Sequence, residues 1–201
     1  MGWRSLPSAS ILTQGDAHMT VKRNKYLLWG LLLFWLGGLS WAGPAPDLSA
    51  KVQAKMEALR WLSTDAQVVA AVRAHNDAPS PQAQAMTNEA WTQVTLLDPL
   101  VKSLAKNALV DYLKSKKDPA ISELFVSGAD GTKVAFFAKT SSWSHKGKAK
   151  HEQPMQGKDW TGSVEVDEST GAEQIQIGLP VLDGGKPIGS VVIGLAIAKM
   201  N

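Results

Sequence analysis

There is no cysteine anywhere in the 201 residues. That absence excludes disulfides, c-type haem attachment, thiolate zinc sites and cysteine nucleophiles together. No G-x-S-x-G elbow, H-E-x-x-H, S-x-x-K or phosphate-binding loop occurs either. The stretches "GADG" and "DGGK" have the glycines of a phosphate loop, but each joins two strand-like runs instead of opening a helix. No pair of carboxylates is set apart for acid–base work, so an enzyme is not expected. Internal repeats and low-complexity tracts are also missing, and a long hydrophobic run occurs in one place only.

That place follows Met19. Lys22, Arg23 and Lys25 precede "YLLWGLLLFWLGGLS", an apolar run of about 15 residues with the length of a signal h-region and short for a bilayer span. Ser40-Trp41-Ala42 puts small residues at the −3 and −1 positions of a cleavage site, and cleavage is expected after Ala42. The alternative is an uncleaved N-terminal helix that anchors the chain. Met1 to His18 carry no pattern, and Met19 is the expected initiator. Removing residues 1–42 lowers Lys+Arg from 21 to 17 and Asp+Glu from 18 to 17. The remaining 159 residues are formally neutral, so the basic isoelectric point belongs to the leader and nucleic-acid binding is not expected. Residues 43–201 have the size of one domain that buries its own core without disulfides, as a periplasmic or secreted protein must.

Along that domain the apolar period changes once. Val52, Met56, Leu59 and Leu62, then Val68, Val69 and Val72, recur at helical spacing, with cap chemistry at Ser63, Thr64 and Asp65 predicting a break. "NDAPSPQAQ" reads as a linker. Helix resumes with Thr87 or Asn88 as cap, restarts at Asp98-Pro99, carries the stripe Leu100, Leu104, Ala108 and Tyr112, and stops at Asp118-Pro119. From there the period is that of strands. "ISELFVSG" and "KVAFFAKT" flank a Gly-Asp turn, and "TGSVEVDE", "EQIQIGLPVL" and "PIGSVVIGLAIAKM" follow a long connection. The last run is apolar on both faces and is predicted to be central. The fold class is α+β, with helices over about 48–117 packed on a roughly five-stranded antiparallel sheet over about 121–199.

These residues carry a resemblance. Asp130-Gly131, Thr140-Ser141-Ser142-Trp143, Pro180-Val181, Asp183-Gly184 and Ile188-Gly189, in this order, resemble the extracytoplasmic PAS-like sensor fold called the Cache or PDC domain. Upstream, "VVAAVRAHND" and "NEAWTQ" are similar to a segment of its stand-alone exported members. Ser142-Trp143 stand where the family often has Asp-Tyr, and Lys146, Lys148 and Lys150 stand where acidic residues are common. The resemblance implies a small-molecule ligand of the organic acid or amino acid class. It also implies a solitary sensor that reports to a separate membrane receptor or histidine kinase. Homodimerisation through the N-terminal helix is a further expectation.

The long connection is the candidate site. From Lys133 to Trp160, six lysines face one glutamate and one aspartate on a chain that is neutral overall after residue 42. One reading is a lid whose charge attracts an anion, with Trp143 and Trp160 as walls and His145, Lys146, Lys148 and His151 as polar groups. The other is a solvated loop whose tryptophans anchor its ends. Tyr112 is a candidate pocket residue from the helix behind the sheet, with core packing as its other reading. His145, His151 and Glu152 lack metal-ligand spacing, and no metal or cofactor is expected. A sensor should hold a cavity with converging polar groups. The competing class, an interaction module without a small ligand, should have a filled core and an exposed apolar patch.

Overall fold

The computed structural model describes residues 46–166 and 171–200. The expected leader and the cleavage position after Ala42 lie outside the described residues. Helix α1 (Pro46–Leu59) buries Val52, Met56 and Leu59 and tightens into a 3-10 turn, Arg60–Ser63. The predicted break follows. Asp65 caps α2 (Ala66–Asp77), its carboxylate accepting from the backbone N–H groups of Gln67 and Val68.

The rest of the helical half is more divided than its apolar stripe suggested. The stretch read as a linker contains α3 (Pro81–Ala85), capped by Ser80 with proline in its first turn. The stretch read as one restarted helix is three: α4 (Asn88–Gln93), α5 (Pro99–Ala105) and α6 (Ala108–Ser115). Thr87, Asp98 and Asn107 cap them, each side chain accepting from a backbone N–H two or three residues on. Such caps end one helix as readily as they begin the next, because the same side chains also stabilise turns.

Five strands follow: β1 (Ile121–Gly128), β2 (Lys133–Phe136), β3 (Trp160–Val166), β4 (Glu173–Asp183) and β5 (Lys186–Ala196). They form one antiparallel sheet in the order β2-β1-β5-β4-β3. Strand β5 is central, as its continuous apolar run implied. Gly184 and Gly185 take positive φ in the tight turn into it, a conformation that residues with side chains rarely adopt. The arrangement is the α+β, PAS-like one expected.

Alternation divides the core between the faces of the sheet. Leu124, Val126, Ile177, Val191, Ile193 and Leu195 pack under α1, α2 and α6. Phe125 and Val192 face the other way, with Phe136, toward Trp91, Leu100, Leu104 and Trp143. Helix α7 (Ala149–Met155), formed inside the long basic connection, covers β4 and β5 on this second side. It sits close. A Cβ on Gly178 would stand 2.8 Å from the Lys150 carbonyl oxygen. Among the described residues no helix is long and apolar enough to cross a membrane.

Candidate functional site

After β2 the chain returns along its own path. Thr132 and Ser144 form an isolated bridge, and the His145 N–H donates to the Gly131 carbonyl. Both ends of the basic segment are tied to the helical half. Asn88 holds Ser144 by two hydrogen bonds, and the Arg60 guanidinium holds Asp159 by two more. Trp143 is buried against Trp91, whose Nε1–H donates to the Thr140 carbonyl at 2.7 Å. The first tryptophan therefore anchors the segment. Its own Nε1 is buried with no hydrogen-bond partner among the described residues.

The centre of the site is Lys133. Its side chain is 0 % exposed, although it is a lysine in the middle of the fold. Nζ lies 2.6 Å from His145 Nδ1 and 3.4 Å from Ser127 Oγ. It also sits 4.6 Å above the Phe125 ring, on which the His145 ring stacks. None of these partners is a carboxylate. Burial above all, and then the Lys150 ammonium, pull Lys133 down to about 7, against the opposing pull of Glu123 and Asp130. Burial and the neighbouring Lys133 push His145 down to about 3, so its ring is neutral and Nδ1 can accept from the amine.

His151, on α7, is equally hidden. Nε2 faces the Ala129 carbonyl at 3.4 Å, and a carbonyl only accepts, so Nε2 carries the hydrogen. Nδ1 then accepts from Ser190 Oγ at 2.8 Å. Burial lowers the pKa of this imidazole as well. From the residue just before His151, Lys150 Nζ donates to Gln176 Oε1 at 2.6 Å, and Gln176 Nε2 donates to Glu123 Oε2 at 2.9 Å. Ser122 reaches Gln174 in the same way, also at 2.9 Å. These links join β1 to β4 across the intervening β5. They pass over Gly194, where an added Cβ would meet Gln174 Oε1 and Ser122 Oγ at 2.9 Å each.

The structure brings Trp143, His145 and His151 onto one buried face. Lys146 and Lys148 are exposed above it. Trp160 is half-buried at the far end of the segment, its ring against Gly162 and its Cβ near Gly178. Tyr112 is not brought to the others. It packs on the opposite side of the sheet, edge-on to Trp61, and donates to Asp65 at 2.6 Å. Lys133, Gln176, Glu123, Ser127 and Ser190 join the site without having been singled out, and Lys150, noted in the basic stretch but not offered as a binding residue, joins them. The available signal was a polar residue at an inward position of an apolar strand: Lys133 in "KVAF" and Ser190 in "IGSVVIG".

Surface clefts lie elsewhere: one of about 610 Å³ beside Ile121, Ala172 and Ile197, and one of about 350 Å³ between Arg60, Ser63 and Asp159.

No family model matches the chain, and no curated protein sequence matches it. Solved structures with a similar arrangement include the sensor domain of the histidine kinase DctB of V. cholerae, at 12% identity and a TM-score of 0.43, covering 77% of this chain and 54% of that one. Another is the ligand-binding domain of the Pseudomonas fluorescens chemoreceptor CtaA in complex with L-serine, at 14% identity and a TM-score of 0.37, covering 75% of this chain and 55% of that one. A third is the ligand-binding domain of the Pseudomonas aeruginosa amino acid chemoreceptor PctC in complex with GABA, at 14% identity and a TM-score of 0.38, covering 77% of this chain and 61% of that one. The chain spans a little over half the length of these sensor domains.

Proposed function

We propose that this chain is an extracytoplasmic sensor domain that binds a small anionic or zwitterionic metabolite beneath α7. It passes occupancy to a separate membrane receptor or histidine kinase. The observation that carries the reading is Lys133. A buried ammonium that touches no carboxylate costs several kcal/mol, which the more distant Glu123 and Asp130 offset only in part. An arriving carboxylate offsets that cost, which makes the interval between Lys133, His145 and Lys150 selective for anions. Exposed Lys146 and Lys148 raise the local concentration of anions at its rim. Entry requires α7 and the turn before it to lift, and this motion is the signal. In this reading the domain carries out no catalysis, lies outside the cytoplasm and dimerises through its N-terminal helix.

A second reading is supported by Leu96 and Leu97, 69% and 75% exposed at the corner between α4 and α5. These features suit a protein-interaction module without a small ligand.

Thermal unfolding of the purified chain with acetate, succinate, L-glutamate, L-serine or γ-aminobutyrate separates the two. A bound anion at about a hundredfold excess over its Kd raises Tm by about 5–10 °C. The rise is absent in Lys133→Met. If none of these compounds moves a cooperative transition, the anion-sensor reading is wrong and the interaction module stands.

A further inference from the structure

Lys133 and His145 form a pair of bases that touch each other inside the protein. Every contact of the amine is neutral: an imidazole nitrogen, a hydroxyl and the face of a phenyl ring. The charged groups that act on the pair come from each element around it. Glu123 lies on β1, Asp130 in the turn before β2, Lys148 before α7, and Lys150 and His151 on α7 itself, where Glu152 acts on His151 in turn. The acids oppose the loss of a proton and the lysines favour it, while burial favours it most. Near neutral pH the amine can therefore shed its charge and still donate an N–H to His145 Nδ1, so the geometry serves both protonation states.

Resting on the anion reading above, we propose that the anion enters this site together with one proton, which Lys133 takes up. The step balances in charge. Before binding, the covered interval holds a neutral amine. Afterwards it holds an ammonium and one carboxylate, with the proton drawn from solvent. The net charge enclosed by α7 is unchanged, so α7 closes over neutral contents in both states and neither state has an unpaired buried ion. A site that carried a permanent ammonium would pay that penalty whenever it was empty. The domain thus reads anion concentration and proton concentration jointly.

The test is calorimetric titration of the full chain with acetate and with succinate, at pH values from about 7 to about 9, in two buffers of different ionisation enthalpy. Linkage sets the expected result: about 0.9 proton taken up per anion near pH 8, and an affinity that weakens about fiftyfold from pH 7 to pH 9. In Lys133→Met, checked for folding by a cooperative melt, both the binding and the uptake disappear. His145→Gln retains the uptake, because the amine and not the ring is the acceptor. Binding with a Kd that is independent of pH and with no proton uptake overturns this inference and leaves the anion sensor intact. Uptake that survives Lys133→Met but not His145→Gln overturns the assignment to Lys133. Absence of binding by both anions and by every compound in the thermal screen overturns the sensor reading, and this inference with it.

Discussion

Replacing Lys133 with methionine should stabilise the empty protein at mildly acidic pH and destabilise it at alkaline pH. Burial pulls the amine down to about 7 in the folded chain, from an ordinary value of 10.5. Its folded value is depressed and the charged form is the protonated one, so the folding penalty is complete below pH 7. It fades as pH rises toward 10.5, because over that range the unfolded chain binds more protons than the native one. The full penalty is about 5 kcal/mol, from about 1.4 kcal/mol for each unit of pKa. Methionine removes that penalty but also removes the donor to His145 Nδ1, leaving a buried acceptor unpaired at about 1–3 kcal/mol, and removes about 1 kcal/mol of contact with Phe125. The net gain near pH 6 is about 1–3 kcal/mol, or a Tm higher by about 2–10 °C. Near pH 10 only the losses remain, and the wild-type chain is the more stable by about 1–3 kcal/mol. Urea unfolding at the two pH values measures both signs. A variant less stable by the same amount at both would refute the argument, because it would mean that Lys133 carries no buried-charge cost.

Two further substitutions test how the site is held. Asp65→Ala removes the cap of α2 and the acceptor of Tyr112 together. It should lower stability by about 2–3 kcal/mol in a urea titration, and a loss under about 0.5 kcal/mol would show that neither bond matters. Gly178→Ala pushes a methyl group against the Lys150 carbonyl. It should cost about 1–3 kcal/mol and speed amide exchange in α7 before the rest of the fold, and uniform exchange would show that α7 does not open by itself.

Much of the scaffold can be read from the sequence because it depends on local chemistry. Asp65 and Asp98-Pro99 mark helix starts whatever lies around them, and the glycines after Asp130 and Asp183 mark the turns. The apolar faces of β5 require cover on both sides, and α2 on one side and α7 on the other supply it. The divisions at Asn107 and Ser80 are harder to read. A capping residue inside a continuous apolar stripe competes with the helix it interrupts, and tertiary packing decides between them. Within the site, proximity in sequence is a poor guide. Lys146 and Lys148 stand at the centre of the charged run yet point to solvent, whereas Lys133 and Ser190 lie outside its densest part and are fully buried. Tyr112 sits on α6, whose Leu109, Val110 and Leu113 face the other side of the sheet, whereas Leu100 and Leu104 of the same sequence stripe face the site side. Long-range pairing of β1, β2 and β5 selects the site residues, and no periodicity within one segment reports it.

The glycine beneath the Ser122–Gln174 and Gln176–Glu123 links has a consequence for assembly. Strands β1 and β4 share no backbone ladder, so ordinarily each would set its register against β5 alone. The links bind them to each other directly and leave clearance for one side chain size only. A slip of β5 by two residues would bring Val192 or Ala196 under the links in place of Gly194, and a slip by one would bring Ile193 or Leu195. Either error breaks polar bonds on both neighbours at once. A single missing side chain thus acts as a proofreading mark for the alignment of three strands.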